Sequence, residues 1–146
     1  MHDYLGMDLD YSEKGKVKIS IVTFLKICFS DFPEVVIGGS PTPATERLFE
    51  VRPDDERKLL EEERAIAFHH SVAHLLFIAI RCRHDIQTAV AFLTTRVKTP
   101  DEDDWVKLKR LMKYLKSTVY LKLALEADNL TLLKWWVDAA YAVHPD

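Results

Sequence analysis

The stretch TPDEDDWVKLKRLMKYLKST, residues 99–118, decides the fold prediction because it carries the strongest helix signals in the chain. Thr99 is a candidate N-cap, Pro100 suits the first helical position, and Glu102 follows the cap by three residues, as in a capping box. Apolar residues then recur at helical spacing on one stripe, namely Trp105, Leu108, Leu111, Met112 and Leu115. The stretch predicts an amphipathic helix with one face in a core.

Two further helices are predicted on the N-terminal side of this stretch. The first begins in the acidic sequence LLEEER and has an apolar stripe made of Ala65, Phe68, Val72, Leu75, Leu76, Ala79 and Ile80. The second begins at Asp85, and its stripe consists of Ile86, Ala89, Val90, Leu93 and Val97. These patterns predict a helical centre for the chain.

The N-terminal part of the chain has a different pattern. Residues 4–11 and 16–22 alternate apolar and polar side chains around the sequence SEKG, which predicts a β-hairpin with Gly15 in its turn. Residues 22–32 have a helical spacing that stops at Pro33. Residues 33–58 form a long connection with four of the six prolines. Such a loop in a compact domain is usually functional or lies over a surface.

The C-terminal part again alternates with a period of two. Leu121, Leu123 and Leu125 are separated by polar or small residues, Asp128-Asn129 suits a tight turn, and residues 130–137 are predicted as the returning strand. The predicted fold class is therefore α+β: an N-terminal β-hairpin, a central bundle of three to four helices and a C-terminal β-hairpin.

Composition excludes several classes of protein. A hydrophobic content of 48% suits a globular protein, and a net charge of −3 gives no overall basicity. Neither a P-loop nor G-x-G-x-x-G occurs. Cys28 and Cys82 are far apart and predict reduced thiols, while the N-terminus lacks the layout of a signal peptide. We therefore expect an intracellular, soluble protein with no membrane span; a cytoplasmic particle and the nucleus fit equally well.

Cationic residues are concentrated in residues 105–122, which contain no acidic residue. Lys109, Lys113 and Lys116 fall in one row of the predicted helix, with Arg110 beside them, a spacing suited to following a phosphate backbone. Tyr114 and Tyr120 could stack on bases or sugars. The alternative is a solvated helix face whose cations complement the helix dipole. The residues alone leave both interpretations open.

His69, His70 and His74 raise the question of a metal site. His70 and His74 are four residues apart, as in zinc proteases, but the glutamate that this motif places after its first histidine is absent. Surface or half-buried histidines are the favoured interpretation. Asp138 is a second candidate ligand because it ends the alternating stretch LLKWWVD, but a lone carboxylate at a strand end is usually just solvated.

Five stretches, taken in order, resemble one family. They are YLG at 4–6, SPTPA at 40–44, FHHSVAHLLFIAIRCRHDIQTAV at 68–90, PDEDDWVKLKRLMKYLKST at 100–118 and VDAAYA at 137–142. Together they resemble the reverse transcriptase of copia-type retrotransposon polyproteins, up to the start of its ribonuclease H domain. The resemblance covers nearly the whole chain. It departs from the family pattern where His84 replaces a proline, where Ala73 and Ser117 replace glycines, where Asp104 replaces a histidine, and where Ala140 replaces an acidic residue.

The resemblance implies a role for each segment. Residues 1–58 would comprise the primer-grip hairpin, with Tyr4, Leu5 and Gly6 in its turn, a short helix and a Pro-rich connection. Residues 59–118 would form the helical thumb and connection region, whose Lys109, Arg110, Lys113 and Lys116 hold the nucleic acid. Residues 119–146 would begin a truncated ribonuclease H domain, in which Asp138 is the first catalytic acid and Mg²⁺ ligand.

The resemblance also implies what to expect of activity and partners. The intact parent would be an RNA-directed DNA polymerase with ribonuclease H, both dependent on Mg²⁺. These residues contain neither complete carboxylate cluster, so we expect the chain alone to be inactive and to hold no Mg²⁺. The expected partners are an RNA–DNA hybrid or a DNA duplex, bound weakly and in a salt-dependent way, and the rest of the polyprotein. The alternative is a non-catalytic helical protein-interaction module.

Overall fold

The computed structural model describes residues 2–126, 131–133, 135 and 137. Within them the chain forms one sheet of four antiparallel strands and four α-helices. In chain order these are β1 (His2–Tyr4), β2 (Met7–Asp10), β3 (Lys16–Ser20), α1 (Val22–Asp31), α2 (Glu62–Arg81), α3 (Gln87–Thr95), α4 (Glu102–Ser117) and β4 (Leu123–Glu126). A short 3-10 turn, His84–Ile86, precedes α3. The predicted α+β class is confirmed.

A two-residue turn joins the first two strands of the sheet. Tyr4 pairs with Met7, and between them Leu5 and Gly6 have φ angles of 52° and 77°. Positive φ at both central residues is the geometry of a type I′ turn, whose twist suits a hairpin. The alternating run over residues 4–11 is therefore two strands and not one. Gly15, with φ of 80°, lies in the turn before β3, as its position in the sequence predicted.

Strand β4 completes the sheet from the other end of the chain. It pairs with β3, Leu123 lying opposite Ile19 and Glu126 opposite Lys16. The sequence had predicted residues 130–137 as the partner of this strand. Three residues of that stretch (130, 134 and 136) and the predicted turn Asp128-Asn129 lie outside the described residues, and its five described residues are not in a strand. The N-terminal hairpin and the start of the C-terminal segment thus share one sheet.

The helices pack around a single apolar cluster. All five predicted stripe residues of α4 are buried, from Trp105 to Leu115. Burial of each such side chain contributes about 1.5–3 kcal/mol. The stripe of α2 was predicted only in part: Leu76 and Ile80 are exposed, and Ile78 is buried in their place. The core also takes in Val36 and Leu48 from the long connection.

The predicted start of α4 was wrong. Its N-cap is Asp101, not Thr99, and the capping box joins Asp101 to Asp104. The reason is a backbone pairing that the sequence did not reveal. The N–H of Leu60 donates to the carbonyl of Pro100, and the N–H of Glu102 donates to the carbonyl of Lys58, so the chain stays extended through Asp101.

The long connection, residues 33–58, contains no helix or strand, as predicted, and it crosses α4. Within the part of the chain that the structure describes, no helix has both the length and the apolar character needed to cross a membrane.

Candidate nucleic-acid interface

Buried ion pairs fix the N-terminal end of α4. The Asp101 carboxylate accepts hydrogen bonds from the N–H groups of Asp103 and Asp104, at 2.9 and 3.0 Å, and from Arg57 at 3.1 Å. Asp104 accepts from the N–H of Asp101 and from Arg96. At Asp101, burial favours the neutral carboxyl, but the hydrogen bonds to the carboxylate outweigh this effect. The pKa of Asp101 is therefore lower than its usual value. Burial dominates at Asp104 and raises its pKa.

A buried arginine fixes the C-terminal end of α4. Arg83 is 1% exposed and makes a bidentate pair with Asp85, at 2.9 and 2.7 Å. The same guanidinium donates to the carbonyl and hydroxyl oxygens of Thr118, the C-cap of α4, and the Tyr114 hydroxyl donates to Asp85. Tyr114 and Tyr120 were both predicted as candidates for stacking on bases. The Tyr114 hydroxyl is hydrogen-bonded within the fold, whereas Tyr120 is 74% exposed.

Between these two ends, the cations of α4 contact the long connection. Lys109 pairs with Glu34 at 2.6 Å, and Arg110 donates to the Thr42 hydroxyl at 2.8 Å. Lys116 donates to the carbonyl of Val36. One turn from Arg110 towards the N-terminus of α4, Lys107 donates to the carbonyl of Glu50 at 2.6 Å and pairs with Asp103. Three of the four predicted nucleic-acid contacts therefore have an acceptor in the connection.

Lys113 differs from these cations. Among the described residues it has no recorded hydrogen bond or ion pair. Arg110 is only partly satisfied, since its Nε is buried and has no acceptor in the described structure. Lys116, Arg110 and Lys113 have no carboxylate partner among the described residues, and of these Arg110 and Lys113 lie one turn apart.

Both side chains line an open groove of about 960 Å³ between α4 and residues 39–56 of the connection. Its walls hold six cationic side chains and three carboxylates, so the groove is net positive although the whole chain is net negative. The cations are Arg47, Arg52, Lys107, Lys109, Arg110 and Lys113, and the carboxylates are Glu50, Glu56 and Asp103. Arg47 and Arg52 were not predicted from the sequence, because nothing local places the connection against α4.

The other predicted site residues lie apart from this groove. Tyr4, Leu5 and Gly6 form the exposed turn at the edge of the sheet and do not line the groove. Lys116 does not line it either. Asp138, predicted as a catalytic acid and Mg²⁺ ligand, lies outside the described residues.

Metal ligation finds no support in the described part of the chain. His70 and His74 line a small pocket with Cys28, and the His74 ring packs edge-on against Phe24. No group of three or more His, Cys, Asp or Glu side chains among the described residues could hold an ion.

Comparison of the chain with protein-family models, with curated proteins and with solved structures gives no match. The family assignment therefore stays a prediction that rests on the five sequence stretches.

Proposed function

We propose that the chain is the primer-grip, thumb and connection part of a copia-type reverse transcriptase, and that α4 holds the primer–template duplex by its phosphates. The five ordered stretches support the family. The observation that carries the binding role is the net-positive groove beside α4, in which Arg110 and Lys113 have no carboxylate partner among the described residues. Guanidinium and ammonium groups in one row of a helix suit successive phosphates.

The four predicted phosphate-binding residues and the predicted primer-grip turn each have a place in this proposal. Arg110 and Lys113 make the first phosphate contacts, because no ion pair among the described residues has to break. Lys109 and Lys116 contribute once their contacts to the connection open. The Leu5-Gly6 turn lies at the primer terminus in the intact protein, and its exposed backbone suits close approach to a nucleic acid.

The test is binding to a fluorescently labelled RNA–DNA hybrid, measured by anisotropy at several salt concentrations. Each phosphate contact should contribute about 0.9 to the slope of log K against log salt. The double variant Arg110→Gln/Lys113→Gln should bind the hybrid more weakly. Its salt slope should be shallower by the contribution of close to two phosphate contacts. The matched control is Lys14→Gln/Lys26→Gln, which makes the same change in charge at two exposed lysines away from the groove.

The outcomes separate the two classes of function. A reduced slope in the groove variant but not in the control supports phosphate binding. An equal loss in both variants would reflect net charge alone and contradict a role for the groove. Absence of hybrid binding, or binding that does not respond to salt, would contradict the proposal outright.

One observation favours the second candidate function, a helical protein-interaction module. Helix α2 exposes an apolar stripe that contains Ile66, Leu76 and Ile80, of which Ile66 and Ile80 are 55% and 57% exposed. Exposed apolar stripes of this kind often mark contacts with partners. Substitution of Ile66 and Ile80 by Gln should leave hybrid binding unchanged if the groove is the functional site.

A further inference from the structure

The contacts between α4 and the long connection all use the same chemistry. Lys109, Arg110 and Lys116 donate to a carboxylate, a hydroxyl and a backbone carbonyl of residues 34–42. Lys107 donates to the carbonyl of Glu50. All four acceptors are oxygen atoms, which is also what a phosphate backbone offers to cations.

Besides its contacts with the α4 cations, the connection is attached to the fold by an edge-on contact of Phe49 with Phe92 and by a hydrogen bond from the Ser117 hydroxyl to the carbonyl of Ser40. Val36, Ser40 and Leu48 are buried, but most side chains of residues 34–56 are exposed. The backbone hydrogen bonds that form within it are single turns, such as Leu48 to Thr45. Its contacts with the α4 cations add to these attachments.

These contacts are of the kind that water and salt weaken. In the Glu34–Lys109 pair both side chains are 39% exposed, and exposed ion pairs contribute little to stability. A polyanion that offers several phosphates at once can therefore compete for Lys109, whereas it cannot compete for Arg57, Arg83 or Lys107, which are 13%, 1% and 12% exposed.

We propose that residues 34–50 are an internal competitor: the connection occupies the phosphate-binding cations of α4, and a nucleic acid binds fully by displacing it from them. This rests on the proposed function, since it regulates the same site. In the closed form Arg110 and Lys113 capture the first phosphates. Lys109 and Lys116 then exchange their acceptors in the connection for phosphate oxygens, and the segment of the connection that supplies those acceptors moves away from them.

The test uses Glu34→Gln, which removes the charge opposite Lys109 but keeps an oxygen that can accept from the Trp105 indole. The matched control is Glu46→Gln, the same change at an exposed residue of the same connection with no recorded α4 cation as partner in the described structure. Relative to the control variant, Glu34→Gln should raise the affinity for the hybrid roughly two- to five-fold, because this factor corresponds to the strength of one exposed ion pair. It should also steepen the salt slope, by up to about 0.9 if Lys109 gains a phosphate.

A second measurement reports the displacement itself. Trp105 is 2% exposed and its Nε1–H donates to Glu34 at 2.8 Å, so its indole N–H resonance senses whether the connection is in place. It should shift on titration with hybrid, at the same midpoint as anisotropy. Trp105→Phe assigns this signal among the three tryptophans.

The outcomes distinguish this inference from the function on which it rests. Suppose that the wild type binds the hybrid, that Glu34→Gln and Glu46→Gln bind it with equal affinity, and that the Trp105 signal does not shift. The proposal of an internal competitor is then wrong, and the proposed function stands. If the wild type binds no hybrid, both are wrong. A shifted signal with enhanced, more salt-sensitive binding of Glu34→Gln supports both.

Discussion

Charged side chains pair at the two ends of helix α4 and along its middle, and these two sets of pairs differ in burial. At the ends, Arg57, Arg83 and Arg96 are 13%, 1% and 14% exposed, and each pairs with a carboxylate that caps or flanks the helix. Along the middle, Lys109 pairs with Glu34 across a surface where both are 39% exposed. Removing one partner of a buried pair is costly, whereas an exposed pair exchanges easily. The difference predicts that the pairs at the ends contribute more to stability than the exposed pair in the middle does.

The largest expected effect lies at the C-terminal end. Asp85→Ala leaves the buried guanidinium of Arg83 without its carboxylate, which should lower the free energy of unfolding by about 3 kcal/mol. The value is at the low end for buried pairs because the Asp85 side chain is 30% exposed. Urea denaturation measures it. Glu50→Ala is the control: its pair with Arg47 is exposed on both sides and should cost less than about 1 kcal/mol. Equal losses of unfolding free energy in the two variants would contradict the difference between the buried pairs at the ends of α4 and the exposed pairs.

The N-terminal end should show the next effect. Asp101→Ala removes the N-cap of α4 and an acceptor of Arg57, so we expect a loss of about 2 kcal/mol in the same assay. Asp103→Ala is the neighbouring control, since its pairs with Lys107 and Arg52 are partly exposed. If Thr99→Ala proved more damaging than Asp101→Ala, the cap assigned here would be wrong.

A close contact between the connection and α4 gives a smaller effect. A Cβ added at Gly39 would lie 2.9 Å from the Cβ of Ser117, so Gly39→Ala should push the connection away from α4 and cost about 1–2 kcal/mol. Ser117→Gly in the same chain removes the obstacle. A double-mutant cycle measured by urea denaturation should therefore show that the second change partly restores the stability lost in the first. Additive losses would mean that the connection does not approach α4 so closely.

The sequence predicted the parts of this arrangement that depend on local pattern. The stripe from Trp105 to Leu115 follows from the helical period, and the turn at Gly15 follows from the need for positive φ. The predicted cap at Thr99 failed because the backbone of residues 58–60 holds Pro100 and Asp101 extended, an interaction between distant segments.

The cationic face of α4 was predicted only as a row of cations. Its acceptors come from residues far away in the chain: Glu34 is 75 positions before Lys109, and Val36 is 80 before Lys116. No local period reports such contacts, and an acidic residue directly after Pro33 is a weak signal. Likewise, the pairing of β4 with β3 joins strands about a hundred residues apart, which alternation in each strand cannot specify.

The smallest expected effect is a difference in how stability responds to pH. Hydrogen bonds and ion pairs lower the pKa of Asp101 and Asp85 in the fold, so the stability that each contributes is present above its unfolded pKa and is lost as pH falls through the folded value. Burial raises the pKa of Asp104, so its contribution has the opposite sign and improves as pH falls. The two signs partly cancel in the wild type between roughly pH 3 and 5.

Asp104→Asn removes the opposing contribution while keeping an oxygen for the N–H of Asp101. The free energy of unfolding of this variant, measured by urea denaturation at several pH values, should therefore fall more steeply on acidification than that of the wild type. The difference in slope should stay below about 1.4 kcal/mol per pH unit, the limit for one proton. Glu46→Gln should leave the slope close to that of the wild type. A shallower slope for Asp104→Asn would mean that the attraction of Arg96 outweighs burial at Asp104.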